Sequence, residues 1–307
     1  MSATIRAGRR NVEITRPDKV LIPPGVTKAD LAGYYEAVAA PMVSHIANRP
    51  LNFERFPDGI DGQRIFQQHA AKYYPSWVTR VEVPAAKGTV AHVMARDGAT
   101  LVYLAGQAVI TFHAWLSRSD RLELPDRLVI DLDPSREDPE EVRHAALIMG
   151  DLVRELELTP WAMTTGSRGY HVVVPLQRRL EFDGVRQFAR DLGELAAARD
   201  PELFTTEQRK AKRGGKILID VLRNAYAHTS VAPYSVRPRP DAPVATPLHW
   251  EELEEAATHP RRWTLRTVPD RLERDGDPWR RFSTGAKSLT RARKLLRDAL
   301  EETRGAT

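Results

Sequence analysis

The sequence has no cysteine among its 307 residues. Disulfides, thiolate zinc sites and cysteine nucleophiles are therefore excluded, and a cytoplasmic setting is the default expectation. No apolar run approaches the length of a membrane span, and the amino-terminal MSATIRAGRR lacks the apolar core of a signal peptide. We expect residues 1–10 to form a flexible basic leader.

Neither sign of charge dominates the chain. The 46 Lys and Arg residues stand against 41 Asp and Glu residues, which gives a formal charge of +5. Such a small excess indicates a nucleic-acid partner only where the cations cluster. Hydrophobic residues make up 42% of the sequence, which is normal for a globular protein, and a length of 307 residues allows one large domain or two modest ones.

The most informative stretch is RLVIDLDP, residues 127–134. Its apolar run, stopped by Pro134, predicts a buried β-strand. Asp131 and Asp133 stand two residues apart at the carboxyl end, so their side chains share one face. Because like charges held close together repel, a divalent cation such as magnesium or manganese would suit this pair. The alternative is an ordinary strand end with a solvated Asx turn.

A second stretch, TTGSRGYHVVVPL, carries groups suited to a phosphate chain. Thr165, Ser167 and Arg168 lie in a glycine-containing loop, and His171 begins the apolar strand that follows. Such a loop allows close backbone approach and can form an anion nest. It is not a Walker A loop, since it lacks the GK[ST] ending. The alternative is an ordinary β-hairpin.

A third stretch, TTEQRKAKRGGKILID, combines cations with another strand-end acid. Lys216 opens the predicted strand and Asp220 ends it. The basic turn before the two glycines contains four cations: Arg209, Lys210, Lys212 and Arg213. Three strand-end carboxylates with a cationic cluster beside them would hold metal and phosphate together.

Helical periodicity predicts two amphipathic helices around these stretches. One runs from about Pro139 to Leu156 with Asp138 as its cap, and the other covers 182–200 with Asp183 as its cap. The resulting β–α–β–β order fits an open sheet with flanking helices.

The amino-terminal half offers a candidate phosphate pocket. Thr27 is a good N-cap with Asp30 three residues later, so Lys28 falls in the first turn of a helix. Lys19 lies shortly before. Because a helix N-terminus favours an anion, the two lysines with free backbone N–H groups could bind a phosphate. The alternative is two solvated lysines.

Short strands and turns alternate over residues 50–113, and cations and aromatic residues interleave there from Arg49 onwards. The cations are Arg49, Arg55, Arg64 and Lys72, and the rings are Phe53, Phe56, Phe66, Tyr73 and Tyr74. This pattern suits either a nucleic-acid groove or a β-meander with a charged outer face. His113 is either a satisfied core residue or a functional residue.

Together these groups are suited to two-metal phosphoryl transfer. One metal would lower the pKa of an attacking 3′-hydroxyl, and the other would hold the triphosphate. Cations would stabilise the charge that develops in the transition state. No Ser-His-Asp arrangement is present, because GSRG is not a nucleophile elbow.

The chain resembles the polymerase domain of bacterial DNA ligase D (LigD), a member of the archaeo-eukaryotic primase superfamily. The resemblance covers about residues 12–250 in the order RPDKVL, GVTKADL, RPLNFERFPDGIDG, ITFHAW, RLVIDLDP, TTGSRGYHVVVPL, TTEQRKAKRGGKILIDVLRNAYA and VAPYSVRPRP. It implies an α/β (α+β) fold: a primase-type catalytic core with an RRM-like mixed or antiparallel sheet flanked by helices. Residues 1–307 would form one primase-polymerase domain, divided into 12–110 for DNA-end and template contacts, 111–250 for catalysis and 251–307 for packing.

The resemblance also implies roles for individual residues. The metal ligands and catalytic acids would be Asp131, Asp133 and Asp220. The nucleotide contacts would be His113, Thr165, Ser167, Arg168, His171, Arg213, Lys216 and Arg237. The DNA contacts would be Lys19 and Lys28 at the 5′-phosphate and Arg55 and Phe66 at the template. Where the family usually has Phe-Phe-Gln-Lys, this chain has Ile65-Phe66-Gln67-Gln68, and Arg16 stands where some members have Asn.

The implied activity is template-dependent nucleotide addition, as a DNA-dependent DNA/RNA polymerase that favours ribonucleotides and uses two divalent cations, Mn²⁺ or Mg²⁺. It would fill gaps and process ends in non-homologous end joining, with Ku and an ATP-dependent DNA ligase as partners in the bacterial nucleoid. The alternatives are a stand-alone primase-polymerase in short-gap excision repair and a catalytically silent DNA-end binding module. The 307 residues hold no ligase or nuclease module, which fits either an excised domain or a stand-alone protein.

Overall fold

The computed structural model describes residues 2–85 and 88–305. The strands in chain order are β1 (Ser2–Ala7), β2 (Arg10–Thr15), β3 (Val20–Ile22), β4 (Val26–Thr27), β5 (Leu51–Arg55), β6 (Ile65–Gln67), β7 (Arg80–Pro84), β8 (Thr89–Val93), β9 (Val109–Trp115), β10 (Ser117–Arg118), β11 (Arg121–Pro125), β12 (Arg127–Asp133), β13 (Trp161–Thr164), β14 (Tyr170–Pro175), β15 (Phe204–Thr205), β16 (Ile217–Asp220), β17 (Thr229–Val231) and β18 (Pro247–Leu248). The α-helices are α1 (Lys28–Ala37), α2 (Ala39–Ile46), α3 (Gly98–Gly106), α4 (Pro139–Glu155), α5 (Phe182–Arg199), α6 (Trp250–Glu254), α7 (Val268–Asp275) and α8 (Leu289–Gly305). Short 3₁₀ turns cover Lys210–Lys212, Leu222–Asn224 and Phe282–Gly285.

The chain folds as two compact units assembled from interleaved stretches. The first comprises the chain up to Trp115 with Thr229–Thr246 and Trp263–Asp277, and the second comprises Leu116–His228, Pro247–Arg262 and Pro278 onwards. The functional segments 12–110, 111–250 and 251–307 within 1–307 stay a prediction. No helix in the described part of the chain combines the length and the apolar character needed to cross a membrane.

The first unit is built on an antiparallel sheet in the order β17-β9-β5-β8-β7, with β6 paired to β5. Buried aromatic rings of Tyr35, Phe53 and Phe112 meet edge to face in its core. The expected flexible leader is wrong for the residues described there, because β1 pairs antiparallel with β2. The two strands turn at Gly8, whose φ of +57° is favourable for glycine.

The second unit carries a mixed sheet in the order β15-β16-β12-β14-β13-β18. β12 lies between β14 and β16 and pairs antiparallel with both, while β15 pairs parallel with β16. Leu128, Val129 and Ile130 of β12 are fully buried, which explains why the strand is a continuous apolar run without alternation. The buried strand that the sequence predicts is therefore present. The predicted helices on either side of β13 and β14 are α4 and α5.

Two of the three predicted helix caps are present in the structure. Thr27 and Asp30 form a full capping box at α1, and the Asp138 carboxylate accepts from two backbone N–H groups at α4, so both predictions are confirmed. The prediction that Asp183 caps α5 is wrong. That helix begins at Phe182, and its N-cap residue Glu181 makes no side-chain capping bond. Asp183 lies inside the first turn, where its charge still favours the helix dipole.

Asn224 fixes the junction between β12 and the turn after β16. Its side chain is fully buried; its amide donates to the carbonyl of Val129 at 2.7 Å and accepts from the Val129 N–H at 2.9 Å. The same amide donates to the Val221 carbonyl at 3.0 Å. The side chain therefore satisfies backbone groups of a central strand next to its acidic end.

We expect Asn224→Ala to lower the free energy of unfolding by about 2–4 kcal/mol, because it leaves buried backbone groups of Val129 without partners. Urea denaturation followed by circular dichroism measures this loss. The matched control is Asn11→Ala on the exposed side of β2, which should stay within about 0.5 kcal/mol of the parent protein. Equal losses in the two variants would contradict the role of Asn224.

Candidate active site and DNA-contact residues

The three predicted carboxylates lie at the ends of two adjacent strands of the second unit's sheet, β12 and β16. Asp131 of β12 lies directly opposite Asp220 of β16, and Asp133 follows two residues along β12. Directly opposed residues of an antiparallel pair project from the same face with Cβ atoms about 4.5–5.5 Å apart. Asp131 and Asp220 are therefore held close together by the backbone register itself.

Asp131 is compensated by two cationic groups from neighbouring elements. Its Oδ1 lies 3.4 Å from His171 Nε2 and its Oδ2 lies 3.5 Å from Arg223 Nε. His171 faces it from β14 in register. Burial acts to raise the pKa of Asp131, but the charges and hydrogen bonds of His171 and then Arg223 outweigh burial and lower that pKa.

Asp133 is held by two guanidinium groups. Arg168 lies 3.2 Å from one carboxylate oxygen, and Arg213 lies 3.1 Å from the other. Arg213 is buried and also donates to the carbonyls of Glu207 and Gln208, so its guanidinium is fixed in place. Asp220 differs, because its Oδ1 accepts from the Leu222 N–H at 2.9 Å.

The three carboxylates are chemically suited to a divalent cation, since carboxylate oxygens are the hard ligands that such ions prefer. Within residues 2–85 and 88–305, however, no group of three or more His, Asp or Glu side chains has the arrangement of a metal site. Asp131 and Asp133 instead face protein cations. A metal site formed by Asp131, Asp133 and Asp220 therefore stays a prediction.

The predicted phosphate loop lies between β13 and β14 and is organised by Thr165. The Thr165 hydroxyl donates to the Gly169 carbonyl at 2.9 Å and accepts from the Ser167 N–H at 3.2 Å. A side chain at Gly169 would collide with the Leu132 carbonyl, so this position requires glycine. The loop therefore lies directly against β12, the strand that carries Asp131 and Asp133.

Arg261 ties this loop to the segment after β12. It donates to the Ser167 carbonyl at 2.9 Å and to the Glu137 carboxylate at 3.0 Å. Lys216 lies just before β16, where its carbonyl accepts from the Ser135 hydroxyl at 2.6 Å. Neither Arg223 nor Arg261 carries a motif signal of its own, although VLRNAYA follows Asp220 directly in the sequence.

In the first unit, Lys28 and Lys19 lie together in a cationic cluster. Lys28 is the first residue of α1, only 5% exposed, and its Nζ donates to the Thr15 carbonyl at 3.0 Å. Lys19 Nζ lies 2.8 Å from an oxygen of the exposed Asp58. Burial, and then the charges of Arg16, Lys19 and Arg55, lower the pKa of Lys28. Such an excess of cations suits a bound anion.

The remaining predicted residues of the first unit lie around its sheet. Arg55 at the end of β5 donates to the Gln107 carbonyl and to the Gln67 side chain. Phe66 of β6 is 44% exposed, and its ring centroid lies 6.0 Å from that of His113. His113 Nε2 lies 3.2 Å from Glu54, and Arg237 is among the charges that act on Glu54. The exposed ring suits stacking, which is the role predicted for it.

The predicted residues thus form two sets, one in each unit. The second unit contains Asp131, Asp133, Thr165, Ser167, Arg168, His171, Arg213, Lys216 and Asp220. The first unit contains Lys19, Lys28, Arg55, Phe66, His113 and Arg237. Glu54, which contacts His113, is not predicted, although an acid inside the apolar NFERF strand is a visible anomaly.

Comparison with known proteins places the chain in a family. The family described as LigD, primase-polymerase domain, matches residues 27–279. The polymerase domain of Mycobacterium tuberculosis ligase D, solved in complex with DNA, superposes with a TM-score of 0.83 at 31% identity, covering 89% of this chain and 98% of that one.

Three curated relatives are LigD proteins of non-homologous end joining. The Pseudomonas aeruginosa protein is 33% identical over 94% of this chain and 34% of its own length. The Mycobacterium tuberculosis protein is 33% identical over 95% and 40%, and the Bacillus subtilis protein is 30% identical over 87% and 43%. The chain therefore spans less than half the length of these relatives.

The matches to this family and to the solved polymerase domain identify the chain as a nucleotidyltransferase of the DNA polymerase and primase class. The chain belongs to the LigD primase-polymerase domain family. The predicted primase-type fold is confirmed, and membership of this family implies use of a divalent metal ion.

The charges around Lys28 make its titration testable. We expect Lys19→Gln to raise the pKa of Lys28, because it removes a neighbouring cation, and Asp58→Asn to lower it, because the charge of Lys19 is then no longer compensated. Carbon-13 NMR of the methylated lysines measures both changes. Shifts of the same sign in the two variants would contradict this electrostatic description.

Proposed function

We propose that the chain is a DNA-dependent polymerase that adds nucleotides, with ribonucleotides preferred, at gaps and broken ends during non-homologous end joining. The observation that carries this proposal is the register of β12 and β16, which holds Asp131 opposite Asp220 beside the phosphate loop in a LigD-family chain. The curated relatives act in end joining, and the solved relative binds DNA.

Asp131, Asp133 and Asp220 would hold two divalent cations, Mn²⁺ or Mg²⁺. When bound, such ions supply charge stabilisation for an attacking 3′-hydroxyl and a leaving pyrophosphate. The chain's own contribution is to keep these acids ionised. The low pKa of Asp131, caused by His171 and Arg223 against the effect of burial, serves this purpose at neutral pH.

The residues that face Asp133 would bind the triphosphate. Arg213 is anchored by two backbone carbonyls, and a donor fixed before the reaction stabilises developing charge without further reorganisation. Arg168 lies on the loop that Thr165 and Arg261 hold against neighbouring segments. The further nucleotide-binding residues in this unit would be Thr165, Ser167, His171 and Lys216.

In the first unit, Lys19 and Lys28 would bind the 5′-phosphate of the downstream DNA strand. The cluster of cations that lowers the pKa of Lys28 supports this role, because a bound phosphate would relieve their mutual repulsion. Arg55 and the exposed ring of Phe66 would contact the template. His113 and Arg237 would contact the incoming nucleotide. Ku and an ATP-dependent ligase would be the protein partners in the bacterial nucleoid.

The experiment that tests the function is extension of a primer on a gapped duplex. Substrates with and without a 5′-phosphate are compared, with ribonucleotides and deoxynucleotides, in magnesium and in manganese. We expect extension that depends on template and metal and is stronger with the 5′-phosphate. DNA binding without nucleotide addition under every condition would support a catalytically silent end-binding module, and failure to bridge two broken ends would favour excision repair.

We expect Asp131→Asn and Asp133→Asn to reduce primer extension by at least about a thousandfold, because each removes a charge at the reacting centre. DNA binding should change little, and gel-shift titration measures it beside the extension rate. The matched control is Asp183→Asn, an exposed acid of the same unit. Extension retained in the site variants would refute the proposed chemistry.

We expect Lys19→Gln with Lys28→Gln to remove the preference for a 5′-phosphate by weakening binding about ten- to a hundredfold, because two phosphate-binding cations are lost. Binding is measured by fluorescence anisotropy on gapped DNA with and without the phosphate. The control is Lys294→Gln, an exposed cation of the second unit. An equal loss on both DNAs would indicate general attraction instead of a phosphate site.

A further inference from the structure

Glu54 is an acid placed inside the sheet of the first unit. It lies on β5 directly opposite Phe66 of β6 and Thr111 of β9. Its side chain is only 9% exposed. An ionised carboxylate buried to this extent needs compensating partners, so its surroundings are informative.

The strongest of these partners is His113. His113 Nε2 lies 3.2 Å from Glu54 Oε1, and Arg64 lies 3.9 Å from the same oxygen. Burial acts to raise the pKa of Glu54, but the hydrogen bond and charge of His113, followed by Arg64 and Arg237, outweigh burial and lower that pKa. The carboxylate is therefore ionised, and it accepts a hydrogen bond from the imidazole.

This contact determines the state of the imidazole. A carboxylate acceptor at Nε2 requires the proton on that nitrogen and favours the doubly protonated cation. Asn52 lies opposite His113 in the register, and its buried Oδ1 has no hydrogen-bond partner in the described chain. The other charged groups that act on Glu54 are the guanidinium groups of Arg64 and Arg237, which oppose protonation of a nearby imidazole.

We propose that Glu54 is a positioning residue that holds His113 as a hydrogen-bond donor and cation for binding the incoming nucleotide. The inference rests on the proposed function, which assigns His113 to that nucleotide. Because only the protonated imidazole is a cation, the contribution of His113 to nucleotide binding is greatest at low pH and is lost as pH rises through the titration of the imidazole. The negative charge of Glu54 stabilises this cation and so extends its contribution to higher pH.

The direct test is NMR of the His113 imidazole, assigned with His113→Gln. In the unsubstituted protein we expect the proton on Nε2, read from long-range nitrogen-15 couplings. We expect Glu54→Gln to lower the titration midpoint of His113 by about one pH unit, because the compensating charge is lost. Arg64→Gln should move the midpoint the opposite way, and Glu36→Gln, an exposed acid of α1, should leave it unchanged.

The second test is the dissociation constant of a ribonucleoside triphosphate between pH 6 and pH 9. We expect Glu54→Gln to weaken binding about tenfold near pH 8 and less near pH 6, because a higher proton concentration favours the protonated imidazole. In steady-state extension, KM should rise with kcat nearly constant. The Glu54→Asp variant, which keeps the charge, should recover part of the affinity.

A proton on Nδ1 in the unsubstituted protein, or an unmoved midpoint in Glu54→Gln, would overturn the positioning role whatever the polymerase activity. A shifted midpoint with unchanged nucleotide affinity would overturn the link to the nucleotide. The proposed function fails separately if the unsubstituted protein extends no primer. The titration of His113 can still be measured in that case.

Discussion

The acidic strand ends of the second unit depend on cations that compensate carboxylates held side by side. Strand register brings Asp131 opposite Asp220, and their repulsion would oppose this pairing if nothing balanced it. His171 and Arg223 compensate Asp131, while Arg168 and Arg213 compensate Asp133. A cation bound by these acids, as proposed, would compete with the side chains that now compensate them, and a bound phosphate would compete with the acids for the arginines.

The first unit contains a cluster of cations that nearby acids compensate only in part. Lys28 is buried among Lys19, Arg16 and Arg55, and the one acid paired with this cluster among the described contacts is the exposed Asp58. An exposed ion pair contributes little to stability, so Asp58 compensates the charge of this cluster only weakly. The repulsion within the cluster is a cost to the folded protein that a bound phosphate would relieve. This cost supports the proposal that the cluster binds a phosphate.

Much of the fold follows from local sequence signals. The apolar run before Asp131, the capping box of Thr27 and the Asp138 cap of α4 all act over a few residues, so the sequence predicts them directly. The β1 strand is different: its partner β2 provides the hydrogen bonds, and the basic composition of residues 1–10 hides the hairpin. Three strand-end acids are visible in the sequence, but the register that sets Asp131 opposite Asp220 is a property of tertiary pairing.

The residues that the sequence analysis does not predict share one feature, since each acts on a partner far along the chain. Asn224 satisfies Val129, Arg261 holds the loop at Ser167, and Glu54 contacts His113 across a strand pair. None of them belongs to a motif with its own chemistry. Each instead fixes the position or the charge of a backbone segment or side chain that does. Such supports matter at any charged site, because electrostatic stabilisation is effective only when donors are oriented before the charge develops.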